Sequence, residues 1–300
     1  MSHVLVTGSE GLIGKALCTA LEKAGNTIER FDIRFHQDHP DFGNILDLDI
    51  LNAKIKNCDG VVHLAAVSRV VWGEKDPEKC WKTNVVGTHN VVQAIKNSSL
   101  KPWMVYASSR EVYGQQQNFP VEIDVDYMPL NIYARSKVAA EKLVLQAREE
   151  GLYTAVIRYS SVYGRIDDHK DRVVPAFCRR TVLGEPLRIE GLENTLDFTH
   201  VDDTVDGTIA VINILETRNS PLLPLHITTG VPTTLKELAN LVGTSVGREL
   251  NIIEMPSRSY DVSRFWGSTT KTSQILSWQA KISVKVGVQN LVQQFKYLKA

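Results

Sequence analysis

Val4-Leu-Val-Thr-Gly8-Ser-Glu-Gly11-Leu-Ile-Gly14 decides the fold. An aliphatic run passes through the glycines into an apolar helical pattern, so a buried strand turns directly into a helix. Glycine permits the tight turn, lets backbone approach a pyrophosphate and allows close helix packing. The helix N-terminus adds N–H groups and a favourable dipole. The spacing is Gly-x-x-Gly-x-x-Gly, one residue longer at its first step than the standard dinucleotide fingerprint. Gly8, Gly11, Leu12, Ile13 and Gly14 are therefore expected to border a dinucleotide. Asp32 follows at the end of the next strand pattern, where a carboxylate accepts both hydroxyls of an adenosine ribose and repels a 2′-phosphate. The expected cofactor is NAD; Arg34, two residues on, leaves NADP open.

Outward from this turn, short β-branched runs alternate with amphipathic stretches, the pattern of a parallel sheet covered by helices on both faces. Strands are expected at 3–6, 28–32, 60–64, 103–108 and 154–158, and helices at 12–23, 49–56, 77–96 and 133–150. After Gly164 the chain becomes rich in charge and proline. The expected fold class is α/β: a Rossmann-type doubly wound parallel sheet with a smaller, loop-rich C-terminal substrate lobe. Residues 1–163 should form the NAD-binding domain, which 192–230 rejoin through a helix at 205–215 and a strand at 225–228. Residues 164–191 and 231–300 should form the substrate lobe.

Composition narrows the partners. Lysine plus arginine and aspartate plus glutamate are equal at 34 in 300 residues, so no net field draws nucleic acid or an acidic membrane surface. Cys18, Cys58, Cys80 and Cys178 form no Cys-x-x-Cys pair, which points to reduced thiols in a cytoplasmic protein without a zinc site. No apolar run reaches the ~20 residues that span a bilayer. His36 and His39 share a short polar loop with no third ligand nearby, so no metal is expected.

The chemistry is carried by Tyr133 and Lys137, four residues apart and hence on one helical face, together with Ser109. A free tyrosine titrates near ~10, and a neighbouring ammonium is expected to favour the phenolate and make it a usable general base. The Ser109 hydroxyl can hold the substrate oxygen while its proton leaves.

Seven segments in order then carry a resemblance: Thr7-Gly-Ser-Glu-Gly-Leu-Ile-Gly14, His63-Leu-Ala-Ala66, Asn84-Val-Val-Gly-Thr88, Ser108-Ser-Arg-Glu-Val-Tyr-Gly114, Tyr133 to Lys137, Arg158-Tyr-Ser-Ser-Val-Tyr-Gly164 and Asp197-Phe-Thr-His-Val-Asp-Asp203. The chain resembles the extended short-chain dehydrogenase/reductase family, in particular its NAD-dependent nucleotide-sugar epimerases and dehydratases. The resemblance implies that Asn44 and Ile45 border the adenine, that Leu64, Ala65, Ala66 and Asn84 line the cofactor cleft, and that Lys137 also holds the nicotinamide ribose. It implies that Tyr133 takes a proton from the sugar 4-hydroxyl, bound by Ser109, as hydride passes to NAD. It also implies that Ser161, Arg172, Val173 and Arg258 face the nucleotide diphosphate, and that a homodimer forms through the helices at 77–96 and 133–150. Two positions depart from the pattern: Ser161 replaces a common asparagine and Leu196 a common arginine. Losing the arginine removes a charge-assisted contact, which Arg165, Arg172 or Arg188 would have to restore.

Three outcomes branch from a 4-keto sugar. Return of hydride to the opposite face gives 4-epimerisation; an acid or base near C5 and C6 gives a dehydratase or a uronate decarboxylase. Glu111 matches the glutamate that such lyases use, but the aspartic acid that precedes it in dehydratases is Arg110, which cannot donate a proton. Arg110 either binds a substrate carboxylate or pairs with Glu111. The principal expectation is a nucleotide-sugar 4-epimerase, with a dehydratase or decarboxylase using Glu111 as the alternative. A non-catalytic NAD(P)-binding sensor or assembly protein is the reading from a different class.

Overall fold

The computed structural model describes residues 1–217 and 222–299. Strands β1 (His3–Thr7), β2 (Thr27–Phe31), β3 (Gly60–His63), β4 (Trp103–Ser109) and β5 (Thr154–Tyr159) pair in parallel. After β6 (Ser161–Tyr163), β7 (Leu187–Glu190) and β8 (Thr195–His200), β9 (Leu225–Ile227) returns beside β5, completing a six-stranded sheet in the order β2-β1-β3-β4-β5-β9. The chain leaves β1 for β2 on one side and resumes at β3 on the other. This reversal opens a crevice at the C-terminal ends of the strands, the place where doubly wound sheets bind ligands.

Helices α1 (Leu12–Lys23), α2 (Leu48–Ile55), α3 (Val70–Lys75), α4 (Pro77–Trp81), α5 (Gly87–Asn97), α6 (Ile132–Glu149), α7 (Val173–Leu183) and α8 (Val201–Thr217) follow the strands. Strand side chains alternate between the two faces. Val4, Val6, Val105 and Ile157 pack with Leu17 of α1 and Val205 and Ile212 of α8. Leu5, Met104, Tyr106 and Val156 join Leu51 and Ile55 of α2, Val91 and Ile95 of α5 and Val144 of α6. A sheet covered on both faces buries every residue of β3, β4 and β5, the polar His63, Ser108, Ser109 and Arg158 included.

The second lobe has its own core, in which Val174 and Phe177 of α7 meet Phe198 of β8, Leu238 and Val242 of α9 (Leu235–Val246) and Leu291 of α11 (Val284–Lys299). Strands β10 (Pro232–Thr234), β8 and β6 form a three-stranded sheet, and β11 (Ile252–Met255) pairs with β7. The short α10 (Thr270–Leu276) packs beside β9 and α8.

Three elements differ from the expected layout. The helix expected at 77–96 is α4 and α5 joined through a π-helical turn, Lys82–Val86, and α3 precedes it unannounced. Within the segment 192–230, β8 joins the small sheet, and only α8 and β9 rejoin the large one. β6, the end of the expected 1–163 domain, likewise pairs with β8. The buried Asp197 carboxylate of β8 accepts the N–H groups of Thr229 and Gly230 and the Thr229 hydroxyl, which anchors β8 to the loop that leads into β10.

Candidate active site

The crevice is a cleft of about 770 Å³ running from the glycine turn, past the ends of β4 and β5, to α7 and β7. Gly8 adopts φ +73°, and a Cβ there would lie 2.7 Å from the Ala65 nitrogen; at Gly14 it would meet the Gly8 oxygen at 2.2 Å. Only glycine lets the turn and helix pack this closely. Helix α1 starts at Gly11 with no side-chain cap and no acidic residue in its first turn, and Gly11, Leu12, Ile13 and Gly14 line the cleft. These uncapped N–H groups and the positive end of the dipole suit a pyrophosphate, so the residues present fit a dinucleotide.

Asp32 lies just beyond β2 instead of ending it, bridged to Phe42. Its carboxylate accepts the N–H of Glu10 at 2.9 Å and that of Arg34 at 2.9 Å, which pins the strand end to the glycine turn and leaves lone pairs for further donors. Leu64 and Ala66 line the cleft, whereas Ala65 abuts Gly8 and donates to Thr7 Oγ1 at 3.2 Å. Asp32, Asn44, Ile45, Ala65 and Asn84 are not among the lining residues. Asn44 caps its own turn through Leu46 N, and Ile45 is buried beneath Gly87. Asn84 sits in the π-helical turn, where its amide accepts from Val67 N at 2.8 Å and donates to Val67 O at 3.1 Å and Ser136 Oγ at 2.9 Å. It thereby ties the cleft loop after β3 to α6.

Asn131 caps α6 through Ala134 N at 2.8 Å, which sets Tyr133 in the first turn and Lys137 one turn on. Ser109, Tyr133 and Lys137 converge on the cleft wall, each largely buried. Burial pushes the Tyr133 phenol up to about 12; a hydrogen bond with Ser109 opposes the rise and the nearby Glu111 adds to it. Burial drives Lys137 down to about 8, against the fields of Cys80 and Glu141. The phenolate-favouring lysine expected from the spacing is not realised here. Lys137 Nζ donates to Ala107 O at 2.7 Å and lies 6.0 Å from the Tyr133 ring centre, so desolvation wins and the phenol stays protonated at neutral pH.

Beside Ser109, Arg110 Nη2 pairs with Glu111 Oε1 at 2.9 Å, and Asn131 Nδ2 donates to Glu111 Oε2 at 3.3 Å. Burial lifts the Glu111 carboxyl, with Arg110 and then Asn131 pulling against it. Further along, Ser161, Arg172, Val173 and Arg258 all line the cleft. Arg172 Nε approaches Asp168 Oδ1 at 3.4 Å without hydrogen-bond geometry, while Arg258 Nε binds Asp261 at 2.8 Å and approaches Glu190 at 3.2 Å. Leu196 is buried in the second-lobe core at the cleft edge. Of the three candidate replacements for an arginine there, Arg172 and Arg188 line the cleft, and Arg165 does not but pairs with Asp167, which does.

The structure adds a bridge across the mouth that no local pattern announces. Arg69, at the start of α3, donates to His169 Nδ1 at 3.0 Å and Asp171 O at 3.0 Å, and Trp72 packs edge-on to His169 at 5.0 Å. A contact between residues 100 apart leaves no periodicity to read.

The chain is similar to several known proteins. A UDP-glucose 4-epimerase of Cyamopsis tetragonoloba is 27% identical over 94% of this chain and 91% of its own length. A UDP-glucuronic acid decarboxylase of Arabidopsis thaliana is 26% identical over 98% of this chain and 68% of its own. Among solved structures, MoeE5 in complex with UDP-glucuronic acid and NAD superposes with a TM-score of 0.89 at 26% identity, covering 99% of this chain and all of its own. A family model matches residues 4–221, and the chain belongs to the NAD dependent epimerase/dehydratase family.

Proposed function

We propose that the protein is a nucleotide-sugar 4-epimerase that uses bound NAD and a transient 4-keto sugar. The carrying observation is the convergence of Ser109, Tyr133 and Lys137 on one cleft with the uncapped glycine turn. NAD, when bound, supplies a hydride acceptor and a positive charge that favours the Tyr133 phenolate. Ser109 holds the sugar C4 oxygen, Tyr133 removes and later returns its proton, and Lys137 holds the nicotinamide ribose. Asp32 takes the adenosine ribose, Asn44 and Ile45 support the adenine, and Leu64 to Ala66, held by Asn84, form the cofactor wall. Ser161, Arg172, Val173 and Arg258 take the diphosphate, with Arg188 on β7 as the added cation that offsets Leu196. Among the described residues the Arg188 side chain makes no ion pair or hydrogen bond, so its charge is available at the cleft.

Epimerisation is favoured over elimination because Arg110 and Asn131 each engage one oxygen of Glu111. The lyase reading rests on one observation: burial raises the Glu111 carboxyl, a property suited to acid or base work at C5. Trp81 of α4 and Val86 of the π-helical turn remain 42% and 43% exposed, which supports a homodimer through the 77–96 segment and α6, checked by sedimentation. The free cysteines are all buried, which suits a cytoplasmic protein.

The test is proton NMR of the protein with NAD in heavy water, offered UDP-, dTDP- and GDP-hexoses and UDP-glucuronate. Inversion at C4 without deuterium uptake is expected. Deuterium at C5 with a 6-deoxy-4-keto, unsaturated or pentose product would move the assignment to a lyase.

A further inference from the structure

Successive turns of α6 address the last residues of β4. Tyr133 in the first turn shares a hydrogen bond with Ser109, Lys137 Nζ donates to Ala107 O at 2.7 Å, and Glu141, one turn further, accepts from the Ser108 hydroxyl. Glu141 is fully buried and lies outside the cleft lining. Its carboxylate is saturated: Oε1 also accepts from Arg158 Nε at 3.1 Å, and Oε2 accepts from Arg158 Nη2 at 2.8 Å and the Tyr127 hydroxyl at 2.7 Å. Arg158 stands opposite Ser108 in the register of β4 with β5. One carboxylate thus ties α6 to both strands at the level just before Ser109.

A buried ion pair adds little net stability over apolar side chains of the same volume. What it adds is direction, because apolar contacts are non-directional and a fully bonded carboxylate is not. Neighbouring strand residues point to opposite faces, so a fixed Ser108 hydroxyl also fixes the backbone from which Ser109 projects. A catalytic set has to be held within about 0.5 Å of its productive geometry. We infer that Glu141 is a positioning residue for the reaction: by holding Ser108 it sets Ser109 on β4 against Tyr133 and Lys137 on α6. Glu141 meets no reacting atom and acts through Ser108. This rests on the roles of Ser109, Tyr133 and Lys137 in the proposed function, which the epimerase and lyase readings share.

The experiment compares Ser108→Ala with Tyr127→Phe in the NAD-loaded full chain. Each removes one hydroxyl donor to the same carboxylate, so a Glu141 that served stability alone would make the two variants alike. The Cζ resonance of Tyr133, in protein isotopically labelled at tyrosine and assigned with Tyr133→Phe, reports the surroundings of the phenol without any substrate. Ser109→Ala marks where that resonance lies once the Ser109 bond is gone. Ser108→Ala should move it toward the Ser109→Ala position, and Tyr127→Phe should leave it in place. With UDP-glucose and UDP-glucuronate, Ser108→Ala should lower kcat by about 10- to 100-fold at a nearly unchanged KM, the scale of a small misplacement, and Tyr127→Phe by less than about threefold. An unmoved resonance in Ser108→Ala, or equal shifts in the two variants, overturns the inference. Ser108→Cys, close in shape and a far weaker donor, gives the same comparison should Ser108→Ala fail to fold. A moved resonance with no wild-type turnover of either sugar leaves the Glu141 assignment standing and counts against the proposed function.

Discussion

Tyr133 and Lys137 show why a spacing motif is a statement about geometry before it is one about acidity. Both side chains reach the cleft, yet desolvation raises the phenol to about 12 and lowers the ammonium to about 8. Tyr133→Phe should reduce kcat by about 10²–10⁴-fold, the usual worth of a general acid–base group, while NAD binding persists. Single-turnover rates with NAD titration check this; unchanged turnover removes the assigned role. Lys137 makes a separate, thermodynamic prediction. Below pH 8 both folded and unfolded chains hold its proton, and burial of the charge costs about 3 kcal/mol. Between 8 and 10.5 only the unfolded chain remains protonated, so that cost fades as pH rises. Lys137→Met should therefore gain stability relative to wild type at pH 7, with the difference narrowing toward pH 10.5. Denaturant unfolding at the two pH values reads the change, and a pH-independent difference would contradict it.

Among the elements, the π-helical turn between α4 and α5 carries information that an apolar periodicity conceals. Residues 77–96 have the pattern of one helix, but the extra residue in the turn places Asn84 to meet Val67 and Ser136. Such turns recur at functional sites. Asn84→Ala should cost about 1–3 kcal/mol by leaving polar groups of the loop and of α6 unpaired. It should also weaken NAD binding without changing kcat at saturating NAD, since the loop it restrains forms the cofactor wall. A titration showing wild-type NAD affinity would mean the clamp serves stability alone. The start of α1 was readable from the glycines before it, while α6 begins at Ile132 behind an Asn131 cap that the reading from Tyr133 did not use. α3 has no side-chain cap and only six residues, too few for a periodicity to stand out.

Across the whole molecule, a buried histidine joins the large sheet to the C-terminal segment. His226 of β9 donates through Nδ1 to Ser268 O at 3.0 Å and accepts from the Tyr113 hydroxyl at 2.6 Å, linking the large sheet to the C-terminal segment. Burial lowers His226 to about 4 and His63, between Thr7 and Thr88, to about 3. Their contributions are intact above the unfolded value of 6.5 and decline as pH falls, each losing about 3 kcal/mol by pH 4. His226→Gln should flatten the acid limb of stability between pH 6.5 and 4, measured by urea unfolding; an unaltered limb would assign acid sensitivity to other groups. The sequence by itself determined the doubly wound sheet, the glycine turn and the shared helical face of Tyr133 and Lys137, because the succession of strands and helices, glycine spacing and helical pitch are local constraints, whereas Ser109 reaches them only through the fold. Tertiary structure alone decided which sheet β8 joins, the Arg69 bridge to His169, the pairing of Arg110 with Glu111 and the protonation of Tyr133. These depend on which groups lose water together, and desolvation is set by neighbours far away in the chain.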